Sequence, residues 1–200
     1  MLAGWFAQEE HEAAQHVIAL LHRIRLHWLL KHLPPRVVWA AYVFINSFIT
    51  IALLSLLAGA TSSPFVFPSL GPTAYLFFFS PMAKSSTPRH AILGHAIGLV
   101  CGYAAYTLMG SHGFTEISFQ HTSWHEIMAA ALSLAFTGAV MVLLRVSHPP
   151  AGATTLIVSL GILTRVEYLV MIEIAVVLLT AQAWGINRLA GLDYPIWEKT

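Results

Sequence analysis

Two short stretches bring hydroxyls, an imidazole and interrupted backbone together in otherwise apolar sequence: PSLGPTAYLFF from Pro68, and SHPPAGATTLIVS from Ser147. In the first, Ser69, Gly71 and Thr73 stand beside Pro68 and Pro72. In the second, His148, Gly152, Thr154 and Thr155 stand beside Pro149 and Pro150. Proline removes a backbone donor and breaks a helix, so each stretch reads as an interruption followed by a short helix with free N–H groups in its first turn. Such an end carries a partial positive charge, and hydroxyls next to it can donate to a small oxyanion. Neutral His148 can donate to the same anion or carry a coupled proton near neutral pH. Gly71 and Gly152 permit unusual dihedrals or close approach of backbone to a solute. These seven residues, Ser69, Gly71, Thr73, His148, Gly152, Thr154 and Thr155, are the candidate substrate-binding set. The hydroxyls have a competing structural use in back-bonding to helix carbonyls.

Composition says where that chemistry must sit. Of 200 residues, 57% are hydrophobic and 10% charged, which leaves too little polar surface to cover a soluble globule. The chain reads as an all-α integral membrane protein whose first partner is the lipid bilayer. A formal net charge of +1 gives no general attraction to nucleic acid. Cys101, the single cysteine, lies in an apolar run and has no partner for a disulfide. No residue pattern calls for a cofactor, and no phosphate-binding loop or nucleophile elbow is present.

Apolar segments run over 37–60, 64–82, 91–110, 127–144, 149–163 and 168–186. The first, third, fourth and sixth are long enough, at roughly 20 residues, to cross a bilayer as full helices. The second and fifth are half-length. After Gly71 only about 11 residues remain to Met82, or roughly 16 Å of helix against a core of about 30 Å, so an extended leader must supply the rest. If both cross, with the termini in the cytoplasm, then Arg23, Arg25, Lys31, Arg36, Lys84, Arg89, Arg145, Arg188 and Lys199 face the cytoplasm against Arg165 outside. That asymmetry favours six crossings in the cytoplasmic (inner) membrane of a bacterium.

The two interrupted stretches align at a constant offset, Pro68 on Pro149, Gly71 on Gly152 and Thr73 on Thr154. Each belongs to a unit of long helix, break, short helix and long helix, repeat 1 over about 37–110 and repeat 2 over about 126–187. Three crossings per unit make the second copy inverted, a build in which the breaks form the substrate site. Unsatisfied backbone is tolerated at membrane depth only against protein or a polar cavity, which turns both breaks inward.

Outside the breaks, His95 and Glu173 are ionisable residues in apolar helices. They could gate the pathway from opposite sides, snorkel, or bind a neighbouring helix. Arg145 could anchor the cytoplasmic face or stand at a cavity mouth. Asn46, with Ser47 and Thr50, makes a polar patch that could line the pathway or bond another helix. Gly94, Gly98 and Gly102 form a small-residue stripe for close helix packing, as do Ala131, Ala135 and Ala139.

Residues 1–35 form an arm. Its Glu9–Leu33 portion reads as an amphipathic helix on the membrane surface, with Val17, Leu20, Leu21, Ile24 and Trp28 on one side and His11, His16, His22, His27 and His32 distributed over others. It has neither the basic leader nor the cleavage site of a signal peptide. Residues 36–190 form the transmembrane domain and 191–200 a cytoplasmic tail. A rival reading takes His121 and His125, an i,i+4 pair, as metal ligands of a membrane enzyme, but no second matching histidine box accompanies them. No metal site is therefore assigned, and the chain reads as a non-enzyme. A scaffold without a solute pathway is the third reading.

SHPPAGATTL, with PSLGPTAYLFF and PRHAILGH upstream, resembles the HPP family of small integral membrane proteins over roughly Pro34 to Ile186. Pro88, Arg89, Gly94 and His95 form the second matching patch. Members of that family are implicated in nitrite transport in cyanobacteria and plastids, so the resemblance implies a permease or channel for a small monovalent oxyanion, nitrite first, then nitrate or formate. Family descriptions usually give four membrane helices, against four full and two half-length spans here. A bundle this thin is expected to be a homo-oligomer.

Overall fold

The computed structural model describes residues 25–61, 63, 65–110 and 123–198. These residues form seven α-helices and a 3-10 turn, with no strand among them. In chain order they are α1 Leu26–His32, α2 Pro35–Thr61, α3 Leu70–Phe79, the 3-10 turn Lys84–Ser86, α4 Pro88–Met109, α5 Trp124–Leu143, α6 Ala151–Ser159 and α7 Val166–Leu189. α2, α4, α5 and α7 are long and apolar enough to cross a membrane, and α3 and α6 have 10 and 9 residues. The arm helix is described only over Leu26–His32. Leu33 then leaves helical geometry ahead of Pro34, and His11, His16, His22 and most of the expected apolar face lie outside the described residues.

Local chemistry sets the helix ends. Pro88 occupies the first turn of α4, where its missing N–H has no intrahelical partner to lose. α5 starts with a capping box: Ser123 Oγ accepts from Glu126 N–H at 3.4 Å and Glu126 Oε2 accepts from Ser123 N–H at 2.9 Å. α5, α6 and α7 end in one paired pattern, 6→1 and 5→2 backbone bonds around a left-handed residue, namely Arg145 (φ 54), Gly161 (φ 77) and Gly191 (φ 87). Glycine is the usual occupant. Arginine at φ 54 sits where its Cβ crowds the following carbonyl, a strain of about 1–2 kcal/mol.

Side-chain ties give the bundle a common end. Trp39 at the start of α2 donates to Phe79 O at the end of α3 (3.3 Å), and Asn187 near the end of α7 donates to Phe77 O (3.3 Å). Leu26 N–H donates to Ala190 O, and Arg89 at the start of α4 donates to Leu144 O at the end of α5 (3.2 Å). Arg25, Lys31, Arg36, Lys84, Arg89, Arg145 and Arg188 gather there, and among the described residues Arg165, before α7, is the one cation at the opposite end.

The main core joins α2, α3, α4, α6 and α7 through Leu54, Phe67, Leu70, Phe77, Phe78, Leu99, Val158, Ile172, Val176 and Leu179. α4 and α6 pack through the glycine stripe. A Cβ on Gly94 would lie 2.6 Å from His148 Cβ, on Gly98 2.8 Å from the Ala151 carbonyl oxygen, and on Gly102 2.7 Å from that of Thr155. The expected alanine stripe differs: Ala131, Ala135 and Ala139 are exposed, and α5 buries Ala129, Ser133, Thr137 and Met141 instead. The hydroxyls on that buried face find partners on α6, and this decides which side turns in.

Candidate functional site

Thr73 and Thr154, the paired threonines of the two short helices, converge on one imidazole from opposite sides. Thr73 Oγ1 lies 2.9 Å from His95 Nε2, and Thr154 Oγ1 lies 2.7 Å from His95 Nδ1. Thr73 Oγ1 is also 3.2 Å from His148 Nε2, and His148 Nδ1 lies 2.8 Å from the carbonyl oxygen of Ser85. The two rings are 4.9 Å apart between centroids. Each position follows from local structure. His95 lies on the α4 face next to the glycine stripe, His148 is held where Gly94 leaves room for its Cβ, and each threonine sits in the first turn of its helix.

A carbonyl only accepts, so the Ser85 contact puts the His148 proton on Nδ1 and leaves Nε2 as an acceptor. The one Thr73 hydroxyl proton is then shared between His148 Nε2 and the carbonyl oxygen of Ser69, to which Thr73 back-bonds at 3.1 Å, and its oxygen accepts from His95 Nε2–H. Thr154 in turn donates to His95 Nδ1. One direction runs through the chain, Thr154 to His95 to Thr73 to His148 to Ser85, with Ser69 O competing with His148 Nε2 for the Thr73 proton. Ser69, Thr73, His95, His148, Thr154 and Thr155 all have 0% exposure. Ser69 Oγ is buried beside this chain without a hydrogen-bond partner.

Five sequence-selected residues, Ser69, Thr73, His95, His148 and Thr154, thus lie in or against a closed polar centre, and the others lie apart. Thr155 turns toward α5, where it accepts from Thr137 Oγ1 at 3.0 Å, and Ser133 donates similarly to Ser159 at 2.9 Å. Gly71 is exposed, with no atom within 4 Å of an added Cβ, and Gly152 faces Leu134. Asn46 back-bonds to Tyr42 O at 2.7 Å. Glu173 borders outer apolar grooves, beside Tyr103 and Leu169, with both carboxylate oxygens unpartnered. Arg145 is exposed at the arginine-rich end.

The expected free amides need correction. Ala151, Gly152 and Ala153 N–H donate to the carbonyls of His148, Pro149 and Pro150 at 3.0, 2.9 and 3.0 Å, and Leu70 N–H donates to Phe67 O at 3.0 Å. The loop before α6 winds into turns that consume its first-turn donors, and the loop before α3 does so for Leu70. Side chains, then, provide the polar groups of the centre. His121 lies outside the described residues, so the histidine pair has one described member, exposed His125. Among the described residues no three histidine, cysteine or acidic side chains gather as a metal site.

Sequence reading alone did not find a second polar cluster at the arginine-rich end. Arg89 Nη1 lies 3.0 Å from Glu198 Oε1 and 3.3 Å from His90 Nε2, while His90 Nδ1–H donates to Lys84 O at 2.8 Å. In the sequence Arg89 stands only as one of the cytoplasm-facing cations and as part of the matching patch PRHAILGH. Nothing in a local pattern joins it to a glutamate 109 positions away.

A family description, HPP transmembrane region, matches residues 32–195. A protein of Dictyostelium discoideum named only as a transmembrane protein is 31% identical over 119 residues, 57% of this chain and 35% of its own length. The chain thus spans about a third of that curated relative. No solved structure matches.

Proposed function

The chain belongs to the HPP transmembrane family, and from that premise we propose that it is a permease or channel for a small monovalent inorganic oxyanion, nitrite first, handled where the two short helices meet. One observation carries this reading: Thr73 and Thr154, equivalent in the two halves, hold the two nitrogens of the same buried histidine. Such a junction between sequence-related halves fits a transporter built from two inverted repeats, with the short helices as interrupted spans. Its donors are uncharged and lie within the span, since His95 is about 10 Å along α4 from Pro88. The unpartnered hydroxyl of Ser69 adds a donor.

Every group of the centre is sealed from solvent, so the conformation is a closed one. Passage requires the short helices to separate, exchanging the Thr73–imidazole bonds for bonds to the anion. The gathering of cations at one end fits an orientation with that end in the cytoplasm, in a bacterial cytoplasmic membrane. Broad apolar surfaces such as that of α2, which buries only Val38, Thr50 and Leu54, leave area for assembly into a homo-oligomer.

Liposomes containing the purified chain and loaded with nitrite test the proposal. Efflux should exceed that of empty liposomes, and His95→Ala should reduce it at least tenfold while preserving insertion. Efflux equal to empty liposomes across pH 6 to 8 would end the permease reading. It would favour a membrane protein with no solute pathway, the second reading, which the sealing of the centre also supports.

A further inference from the structure

After α7 the chain turns at Gly191 and folds back over the arginine-rich end. Tyr194 is fully buried and its hydroxyl donates to Ser86 O, and burial pushes its phenol above the ordinary tyrosine range. Arg89 N–H donates to Trp197 O at 3.0 Å. These contacts deliver one carboxylate into a cradle between two cations: Glu198 Oε1 lies 3.0 Å from Arg89 Nη1 and 3.8 Å from Lys84 Nζ, with the Nε2 acceptor of His90 beside them at 3.5 Å.

The cradle is built rather than incidental. Arg89 is fixed by Leu144 O at 3.2 Å and Arg145 O at 3.4 Å, and His90 has 0% exposure with Nδ1–H committed to Lys84 O. It is also joined to the centre. The carbonyls of Lys84, Ser85 and Ser86 accept, in that order, from His90, His148 and Tyr194. One 3-10 turn therefore carries the cradle, the central histidine and the folded-back segment on three successive peptide groups.

We propose that Lys84 and Arg89, the latter steadied by the Nε2 acceptor of buried His90, form a docking site for a small monovalent oxyanion at the arginine-rich end, and that the Glu198 carboxylate occupies it as a built-in competitor. The identity of the anion rests on the permease reading. A carboxylate and a bent oxyanion such as nitrite or formate each present two oxygens on one centre with one negative charge, so the same donors suit both. Being tethered, Glu198 competes at an effective concentration on the order of millimolar. A free anion displaces it only at comparable levels, and displacement frees the segment that is pinned to the turn holding His148.

The full-length chain in detergent, titrated with sodium nitrite or sodium formate against sodium chloride at constant ionic strength, gives an apparent Kd from the rise in Tm. Glu198→Gln and Glu198→Ala should each lower the Kd for nitrite and formate at least tenfold relative to the unaltered chain. Adding Arg89→Gln to either should abolish the gain. An unchanged Kd in both single variants, or a gain that survives Arg89→Gln, would overturn the proposal. Tighter binding without flux in liposomes would remove the permease reading and leave the docking site standing, whereas flux without tighter binding would do the reverse.

Discussion

α3 and α6 start from stretches with matching proline, glycine and threonine positions and end in different surroundings. Pro68 and Pro149 precede them, and Thr73 and Thr154 occupy matched first-turn positions that reach the same imidazole. Yet α6 is pressed against the glycine stripe of α4 and buries Ala151, Thr154, Thr155, Ile157, Val158 and Ser159. α3 turns Gly71, Pro72, Tyr75 and Phe79 outward. The shared feature is the polar contact with His95, and the packing around it is not shared. Two similar short stretches can therefore meet at one polar centre while their supports differ, with α6 clamped and α3 comparatively free. If one half moves to open the centre, the looser packing selects α3.

That contrast can be broken most severely at the clamp. Gly98→Ala puts a methyl 2.8 Å from a backbone oxygen that has no flexible end to yield. The expected loss is about 3 kcal/mol or more, from overpacking that the backbone cannot relieve. Gly71→Ala meets open space at a φ that alanine accepts, so it should be neutral or stabilise by up to about 1 kcal/mol. Thermal unfolding in detergent reads both, and similar losses would erase the proposed difference between the halves.

The shared feature is tested by removing its hydroxyls. Thr73→Val strands His95 Nε2–H and His148 Nε2, whereas Thr154→Val strands only His95 Nδ1. At about 1–3 kcal/mol for each unsatisfied buried group, the first variant should lose roughly twice as much stability as the second. Equal losses would contradict the bridging role of Thr73 between the two imidazoles.

The smallest effect concerns the helix end ahead of α6. Arg145→Gly should stabilise by about 1 kcal/mol by relieving the left-handed arginine, while Gly161→Ala at the other end of α6 should destabilise by about the same amount. Stabilisation by Arg145→Gly together with loss of flux would show that the strained arginine is retained for function.

Much of the architecture was legible in the sequence, because hydropathy and chain breaks act locally. The four long spans fall within a few residues of the expected segments, and the two half-length helices begin at Leu70 and Ala151, beside the proline pairs that announced them. The close packing of Gly94, Gly98 and Gly102 was also readable, since one period of the helix places them on a single face. The alanine stripe obeyed the same period and yet faces outward, because periodicity defines a face and cannot say what covers it.

Sequence by itself determined that this chain is a helical membrane protein with two interruptions, each carrying hydroxyls, because the cost of exposing apolar or unbonded groups is settled residue by residue. It also marked Thr73, Thr154, His95 and His148 as residues out of keeping with their neighbours. Tertiary structure decided that these four form one hydrogen-bonded chain, that the first-turn amides of α6 are already bonded, and that Glu198 lies in the cradle between Lys84 and Arg89. Those outcomes depend on directed contacts of a few ångströms between groups as far as 109 positions apart. Only the packed helices fix such distances.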